Sequence, residues 1–318
     1  MTVVASGSVA FDYILTFNGR FADHLMIEHA HSLNLSFLVE SMEKRRGGVA
    51  SNYAYNLALL GRPAAILATV GEDAGDYRHW LESQGVDCAG LVVLAGEQTA
   101  TGFITTDLAH NQITGYFGGA MLRAGEIGLD QTVAEPEAVI IGPNAPAAMS
   151  RLVRECRERR LRWVYDPAHQ LPRLSTAELL EGARGAWILI GSEYELELIR
   201  RQTGLGDTEL AGMSEFVVTT YGSRGSAIQR GEQVFAIPPC PARQEMDPVG
   251  AGDAYRAGLV CGLLTGLGPE RAGRLASVVG AYAVEQTGTV EHRFDLTQVR
   301  ARYRDTYGHD PWDQPAAD

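Results

Sequence analysis

The feature that most constrains this chain is a series of short, unbroken apolar runs. Segments 2–6, 64–70, 138–142, 162–166, 186–191 and 215–219 each hold a few consecutive apolar residues and end near Gly, Asp or Thr. Runs of that length without polar alternation suit strands covered on both faces, as in a parallel sheet. Between them the sequence becomes helix-forming over 51–60, 74–84, 146–160, 192–202, 253–265 and 269–285. Ser192, with Glu195 three residues on, predicts a capping box at the start of one of these helices. Alternation of this kind predicts an α/β fold, a doubly wound and mostly parallel sheet flanked by helices.

Two segments break the alternation. Residues 10–46 hold scattered apolar residues without a strong helical period, and 99–118 read as a hairpin with a polar turn near 107–111. Antiparallel β pieces inserted in a parallel sheet suit a lid over an active site. A plain edge hairpin with no role is the alternative. The expected organisation is one domain over 1–318, with lid segments at about 10–46 and 96–120. An open β edge on the lid would invite pairing of two copies as a homodimer. The tail from about 309 is Pro- and Asp-rich and is expected to fray.

Composition removes several function classes. The 27 basic and 39 acidic residues leave a net charge of −12, which disfavours nucleic-acid partners. The basic runs at 44–46 and 151–162 are short, and the second carries Glu155 and Glu158 like a solvated helix face. No apolar stretch is long enough for a membrane span, and the first residues lack the pattern of a signal peptide, so a cytoplasmic location is expected. The 4 cysteines, at 88, 156, 240 and 261, offer no C-x-x-C pair and read as reduced thiols. Lys44 is the only lysine, and Arg45 follows it, so a G-K-[ST] phosphate loop is excluded. The protein-kinase catalytic lysine has no other candidate. The pair His29 and His31 lacks further metal ligands, and no G-x-S-x-G elbow is present.

Four constellations could carry chemistry. The strongest is Asp247-Pro-Val-Gly-Ala-Gly-Asp253, just before a helix. Small residues there expose backbone N–H groups at a helix N-terminus, an anion site. Asp253 would lie in the first turn, where the dipole favours its anion and makes it available as a base near neutral pH. An anion hole at Gly250, Ala251 and Gly252 beside a carboxylate base is what phosphoryl transfer to a hydroxyl needs; a plain Gly-rich cap is the alternative. The second, Arg46-Gly-Gly-Val-Ala-Ser-Asn52, puts Asn52 in a helix's first turn, either toward a polar ligand or as a capping residue. The third, Thr220-x-Gly222-x-x-Gly225, is a turn against nucleotide phosphates or a strand-to-strand turn. Asp12, just past the first strand, is placed to accept bonds from a diol or is a surface loop residue.

Together and in order, Asp12, Gly47-Gly48…Asn52, Thr220-x-Gly-x-x-Gly and Asp247-Pro-Val-Gly-Ala-Gly-Asp resemble the ribokinase (pfkB-type) family of small-molecule kinases, from about residue 1 to 305. Ser8, His31, 35–39, Asp76-Tyr-Arg-His-Trp-Leu81, Thr105-Thr-Asp107 and Asp166-Pro-Ala-His-Gln-Leu171 look closest to the family's bacterial adenosine kinases. The resemblance implies a ribokinase-like fold with a small β lid. It implies an ATP- and Mg²⁺-dependent kinase that phosphorylates the 5′-hydroxyl of adenosine to AMP, in purine salvage. A sugar kinase, another nucleoside kinase or a non-catalytic nucleoside-binding relative are the alternatives.

By the resemblance, Asp253 is the base and Gly250 to Gly252 the anion hole. Asp12, Gly48 and Asn52 hold ribose; Ser8, Ser36, Tyr116, His169, Gln170 and Arg173 are further nucleoside contacts. Thr220, Gly222 and Gly225 are in the ATP region, Glu195 places Mg²⁺ through water, and Asp247 is a candidate for K⁺. Three departures stand out: Ser192 replaces the Asn of Asn-x-x-Glu, Gly102 replaces a lid aromatic with Phe103 beside it, and His169 replaces a Gln. The rings of Phe103, Tyr116 and Phe117 are expected to favour a flat base over a bare sugar.

Overall fold

The computed structural model describes residues 1–23, 36–109 and 111–313. His29 and His31 of the sequence reading lie outside them, as does part of the first lid segment.

The six apolar runs lie in one nine-stranded sheet, with Val86–Val93, Ser226–Arg230 and Gln233–Ile237 added to them. In chain order its strands are β1 (Val3–Ser6), β4 (Ala64–Val70), β5 (Val86–Val93), β8 (Ala138–Ile141), β9 (Arg162–Tyr165), β10 (Ile188–Ser192), β11 (Phe216–Thr220), β12 (Ser226–Arg230) and β13 (Gln233–Ile237). Their spatial order is β13-β12-β11-β10-β9-β8-β1-β4-β5. The strands from β11 through β5 run parallel; β12 and β13 add an antiparallel hairpin at one edge.

Both faces are covered, as the unbroken apolar runs required. Val3, Ala5, Ile66, Ile140, Val164, Ile188 and Val218 face one core. That core contains residues of α1 (Val49–Leu59), α2 (Gly75–Ser83), α7 (Ala251–Leu264), α8 (Pro269–Val284) and α9 (Leu296–Tyr307). Val4, Leu67, Val139, Ile141, Tyr165, Leu189 and Val217 face the second core, with α3 (Pro146–Glu158), α4 (Thr176–Ala183), α5 (Glu193–Thr203) and α6 (Asp207–Ala211).

The interrupting segments form a second sheet. It contains β2 (Ala10–Thr16), β3 (Ser41–Gly47), β6 (Ala100–Thr106) and β7 (Gln112–Phe117), in the order β3-β2-β6-β7. The 99–118 hairpin was legible from its alternation. Strands β2 and β3 were not, because β3 (SMEKRRG) is largely polar and draws its order from pairing with β2 across seven residue pairs. The apolar and helical patterns also leave out β5, α4, α6, α9 and the β12–β13 hairpin.

The position of α7 depends on small residues. From Ala254 to Gly262 it is buried throughout. A Cβ on Gly258 would stand 2.8 Å from Cα of Ala276, and one on Gly262 would stand 2.9 Å from Cα of Ala272. Backbone therefore packs directly on backbone between α7 and α8. Gly258→Val should cost about 1–3 kcal/mol by overpacking, read as a lowered denaturation midpoint with unchanged slope.

Candidate active site

The carboxyl ends of β1, β9, β10 and β11 face the N-termini of α1 and α7. Ser8, Asp166, Ser192 and Thr220 mark those strand ends. The turn into α7 is held by Asp247, whose Oδ1 accepts from the Val249 amide at 3.0 Å and Oδ2 from the Gly288 amide at 3.0 Å. Gly250 is the N-cap, in the left-handed region at φ 82°. A Cβ there would also press on Thr289 at 3.0 Å, so glycine is required twice over. The Gly250 and Gly252 amides have no partner among the described residues and Gly252 is exposed, while the Ala251 amide turns back to the Pro248 carbonyl at 3.2 Å. The turn thus offers amide donors with the positive end of the helix dipole behind them.

Asp253 lies in this first turn. Asn52 Nδ2, on α1, donates to its Oδ2 at 2.7 Å. The helix terminus was expected to keep this carboxylate ionised, but burial dominates and pushes its pKa up to about 6. Arg256 and the Asn52 hydrogen bond pull it back, while Asp166 and Glu195 oppose them. A carboxylate poised there is a competent proton acceptor near neutral pH.

Three residues that the sequence reading did not assign support it. Arg256, one turn along α7, is buried at 6% exposure and ion-paired with Asp166, Nε to Oδ2 at 2.5 Å and Nη2 to Oδ1 at 2.9 Å. Tyr53, next to Asn52, donates to the same Asp166 at 2.5 Å. An arginine inside an otherwise apolar helix, and an aspartate ending a strand before Pro167, were the available signals. Glu195 Oε2 lies 4.0 Å from Arg256 and accepts the Ser192 amide at 2.7 Å, closing the expected capping box.

On the small sheet, register places Arg45, Asp12, Gly102 and Tyr116 in one row across four strands and hence on one face. Asp12 has no hydrogen-bond partner among the described residues, and burial alone raises its pKa to about 6. Its carboxylate fits between two glycines. A Cβ on Gly47 would overlap Oδ2, and one on Gly102 would stand 2.6 Å from Oδ1. The missing aromatic at 102 therefore has a physical reason, since any side chain there would displace Asp12. Neighbouring rings do not replace it as a group. Phe103 stacks on Tyr13 at 5.5 Å, and both Phe103 and Phe117 occupy the opposite face. Only Tyr116 shares the Asp12 face. Its hydroxyl is raised to about 12 by burial, lowered by a hydrogen bond with Ser8 and raised by Asp12.

The remaining candidates fall as follows. Ser8 Oγ accepts the Val49 amide at 3.2 Å. Gly48 adopts φ 97°, with its Cβ position 2.6 Å from the Ser8 carbonyl oxygen. Ser36 is exposed. His169, Gln170 and Arg173 share a short 3₁₀ turn over Ala168–Arg173 beyond Asp166. His169 and Arg173 are exposed, and Gln170 is buried with Oε1 unpaired. Thr220-x-Gly222-x-x-Gly225 joins β11 to β12 as a strand-to-strand turn, and a Cβ on Gly225 would overlap the Ile237 carbonyl oxygen. No cluster of three or more His, Cys, Asp or Glu side chains suited to a metal occurs among the described residues. None of their helices is long and apolar enough to cross a membrane.

Residues 14–293 match the model of the pfkB family carbohydrate kinases. The chain is 31% identical over 317 residues to a nucleoside kinase of Methanothermobacter thermautotrophicus, covering 97% of each chain. Burkholderia thailandensis nucleoside kinase, solved in complex with inosine, aligns at TM-score 0.88 with 32% identity, covering 98% of this chain and 99% of that one. Methanocaldococcus jannaschii nucleoside kinase, an archaeal member of the ribokinase family, aligns at 0.86 with 25% identity, covering 96% and 98%. The chain belongs to the pfkB family, has the ribokinase-like fold and is a phosphotransferase that uses ATP and acts on a hydroxyl acceptor.

Because Gly102 makes room for Asp12, Gly102→Phe should leave the fold intact but lower kcat/KM for the acceptor ~10–100-fold, the worth of a charge-assisted hydrogen bond. Circular dichroism and initial rates check both halves.

Proposed function

We propose that this pfkB-family kinase phosphorylates the 5′-hydroxyl of a purine ribonucleoside, with adenosine, giving AMP, as the first substrate to test. The observations that carry the reading are two carboxylates: Asp253 in the first turn of α7 beside Gly250–Gly252, and the unpartnered Asp12 on the small-sheet face that also carries Tyr116. The relatives named nucleoside kinases support a nucleoside over a free sugar. The Burkholderia enzyme's complex with inosine makes inosine the second substrate to test. A role in purine salvage and a cytoplasmic location belong to the same reading.

Asp12, Gly48 and Asn52 hold the ribose hydroxyls, with Asp12 accepting from a diol. Ser8, Tyr116, His169, Gln170 and Arg173 line the base side, and Ser36 joins them on lid closure. Asp253 takes the 5′-hydroxyl proton as the oxygen attacks the γ-phosphorus. The bond from phosphorus to the bridging oxygen breaks, and ADP leaves with the electron pair. The amides at Gly250, Ala251 and Gly252 hold the transferring group. Thr220, Gly222 and Gly225 border the nucleotide. Mg²⁺ enters as the ATP complex, and the oxygen of Glu195 outside the capping box is free to bind one of its waters. Asp247 has a second lone pair on each oxygen and is the candidate for K⁺. The two sheets act as one domain, the smaller as its lid. The outer face of that lid exposes Met42, Phe103, Ile113 and Phe117, which supports pairing of two copies there, readable by sedimentation velocity.

Rates with Mg-ATP should be highest for adenosine or inosine, and dependence on K⁺ can be read in the same assay. Ribose or fructose ahead of every nucleoside would overturn the reading. Asp253→Asn should fold but lose ~10²–10⁴ in kcat. With Asp253 near 6, kcat/KM should fall as pH drops through about 6, because the proton acceptor is then occupied. Stability should move the other way. The folded state holds this proton more tightly than the unfolded chain, so ionisation between about 4 and 6 costs stability as pH rises. Asp253→Asn should therefore stabilise the protein at pH 7, by up to about 3 kcal/mol.

A further inference from the structure

A second arginine stands at the site and has no role in the scheme above. Arg45 lies on β3 directly opposite Asp12, on the same face of the small sheet. The two do not pair: Asp12 enters the slot between Gly47 and Gly102, and burial is the sole cause of its raised pKa. The Arg45 side chain crosses instead to Gly288, in the loop between α8 and α9. Its Cδ and Nη1 lie 3.6 and 3.7 Å from the position a Cβ would take on Gly288.

That loop is part of the amide cradle's support. The Gly288 amide donates to Asp247, which holds the turn into α7. Thr289 presses on Gly250 and donates its hydroxyl to the Arg46 carbonyl at 3.1 Å. The end of a lid strand and the turn of the cradle are thus tied to the same two residues.

Among the described residues, the only ionic partner of Arg45 is Glu43, two residues back and 60% exposed, at 2.6 Å. A pair of this kind contributes little and is readily exchanged. Neighbouring cations are committed elsewhere. Lys44 points to the other face, 3.6 Å from the Phe11 ring centre, Arg46 lies over Trp80 at 4.9 Å, and Arg256 is held by Asp166.

We propose that Arg45 is a catalytic residue that leaves Glu43 on lid closure and donates to the γ-phosphoryl oxygens during transfer. This rests on the kinase mechanism above. As the acceptor oxygen bonds to phosphorus and ADP departs with its electron pair, negative charge spreads over the equatorial oxygens. A planar guanidinium meets two of them at once, which a lysine cannot do. The amides of Gly250–Gly252 and Arg45 would then hold the group from the large and small sheets respectively.

The test compares Arg45→Gln with Glu43→Gln, using adenosine and inosine as acceptors. Arg45→Gln should lower kcat ~10²–10³-fold, with both KM values within about threefold of wild type. It should weaken binding of aluminium fluoride to the ADP–nucleoside complex, a mimic of the transferring group, while leaving ADP affinity unchanged. Glu43→Gln should retain wild-type kcat. Wild-type turnover in Arg45→Gln, or an equal loss in both variants, would overturn the assignment, the second outcome making the ion pair merely structural. Loss of nucleoside affinity without loss of kcat would overturn it as well. Absence of turnover in the wild type itself would strike the kinase reading, and this role with it.

Discussion

The site depends on the buried pair between Arg256 and Asp166. One member lies on α7 and the other follows β9, so the pair fixes the helix that carries Asp253 against the parallel sheet. Tyr53 adds its hydroxyl to Asp166, and Asn52, the residue before it, reaches Asp253. Two helices and a strand end therefore form a closed ring around one carboxylate. Removing one partner of such a pair costs about 3–5 kcal/mol, because an uncompensated charge is left in the interior. The ring also has a chemical consequence. It offsets part of the burial that would otherwise keep Asp253 protonated, and leaves it near 6.

Glycine has a different use at each place where the two sheets approach the site. Gly250 turns the chain into α7 and yields space to Thr289. Gly47 and Gly102 yield theirs to Asp12, so an absence of side chains on two strands of the small sheet positions a carboxylate on the third. The same economy of space appears behind the site, where Gly258 and Gly262 let α7 lie directly on α8. The turn into α7, Asp253 and Asp12 are thereby placed by close backbone approaches.

The sequence carried much of the fold. Apolar runs such as 64–70 and 138–142 became central strands because a both-sides-buried strand needs no other signal. Strand β3 was obscured because an exposed strand can be polar, and only its pairing with β2 imposes the conformation. The turns at 46–52 and 247–253 were legible because a tight turn into a helix demands small residues at fixed offsets, and Gly48 and Gly250 both adopt positive φ. Their electrostatics were not. The first-turn position of Asp253 suggested an easily ionised carboxylate, whereas its burial, visible only once α1 packs beside it, raises the pKa. In the same way, Gly102 read in sequence as a lost ring and in the structure as the space that Asp12 fills.

Local chemistry is thus what the sequence determined by itself: parallel strands, amide-rich turns before helices, a carboxylate in the first turn of α7, and the exclusion of a lysine-based phosphate loop. These follow from neighbours a few residues apart. The tertiary structure alone decided what meets across long separations. It placed Asn52 on Asp253, 201 residues away, and Arg256 on Asp166, 90 residues away. It turned Phe103 and Phe117 away from Asp12 and brought Arg45 to Gly288. Those contacts depend on strand register and helix packing, which a linear spacing does not encode.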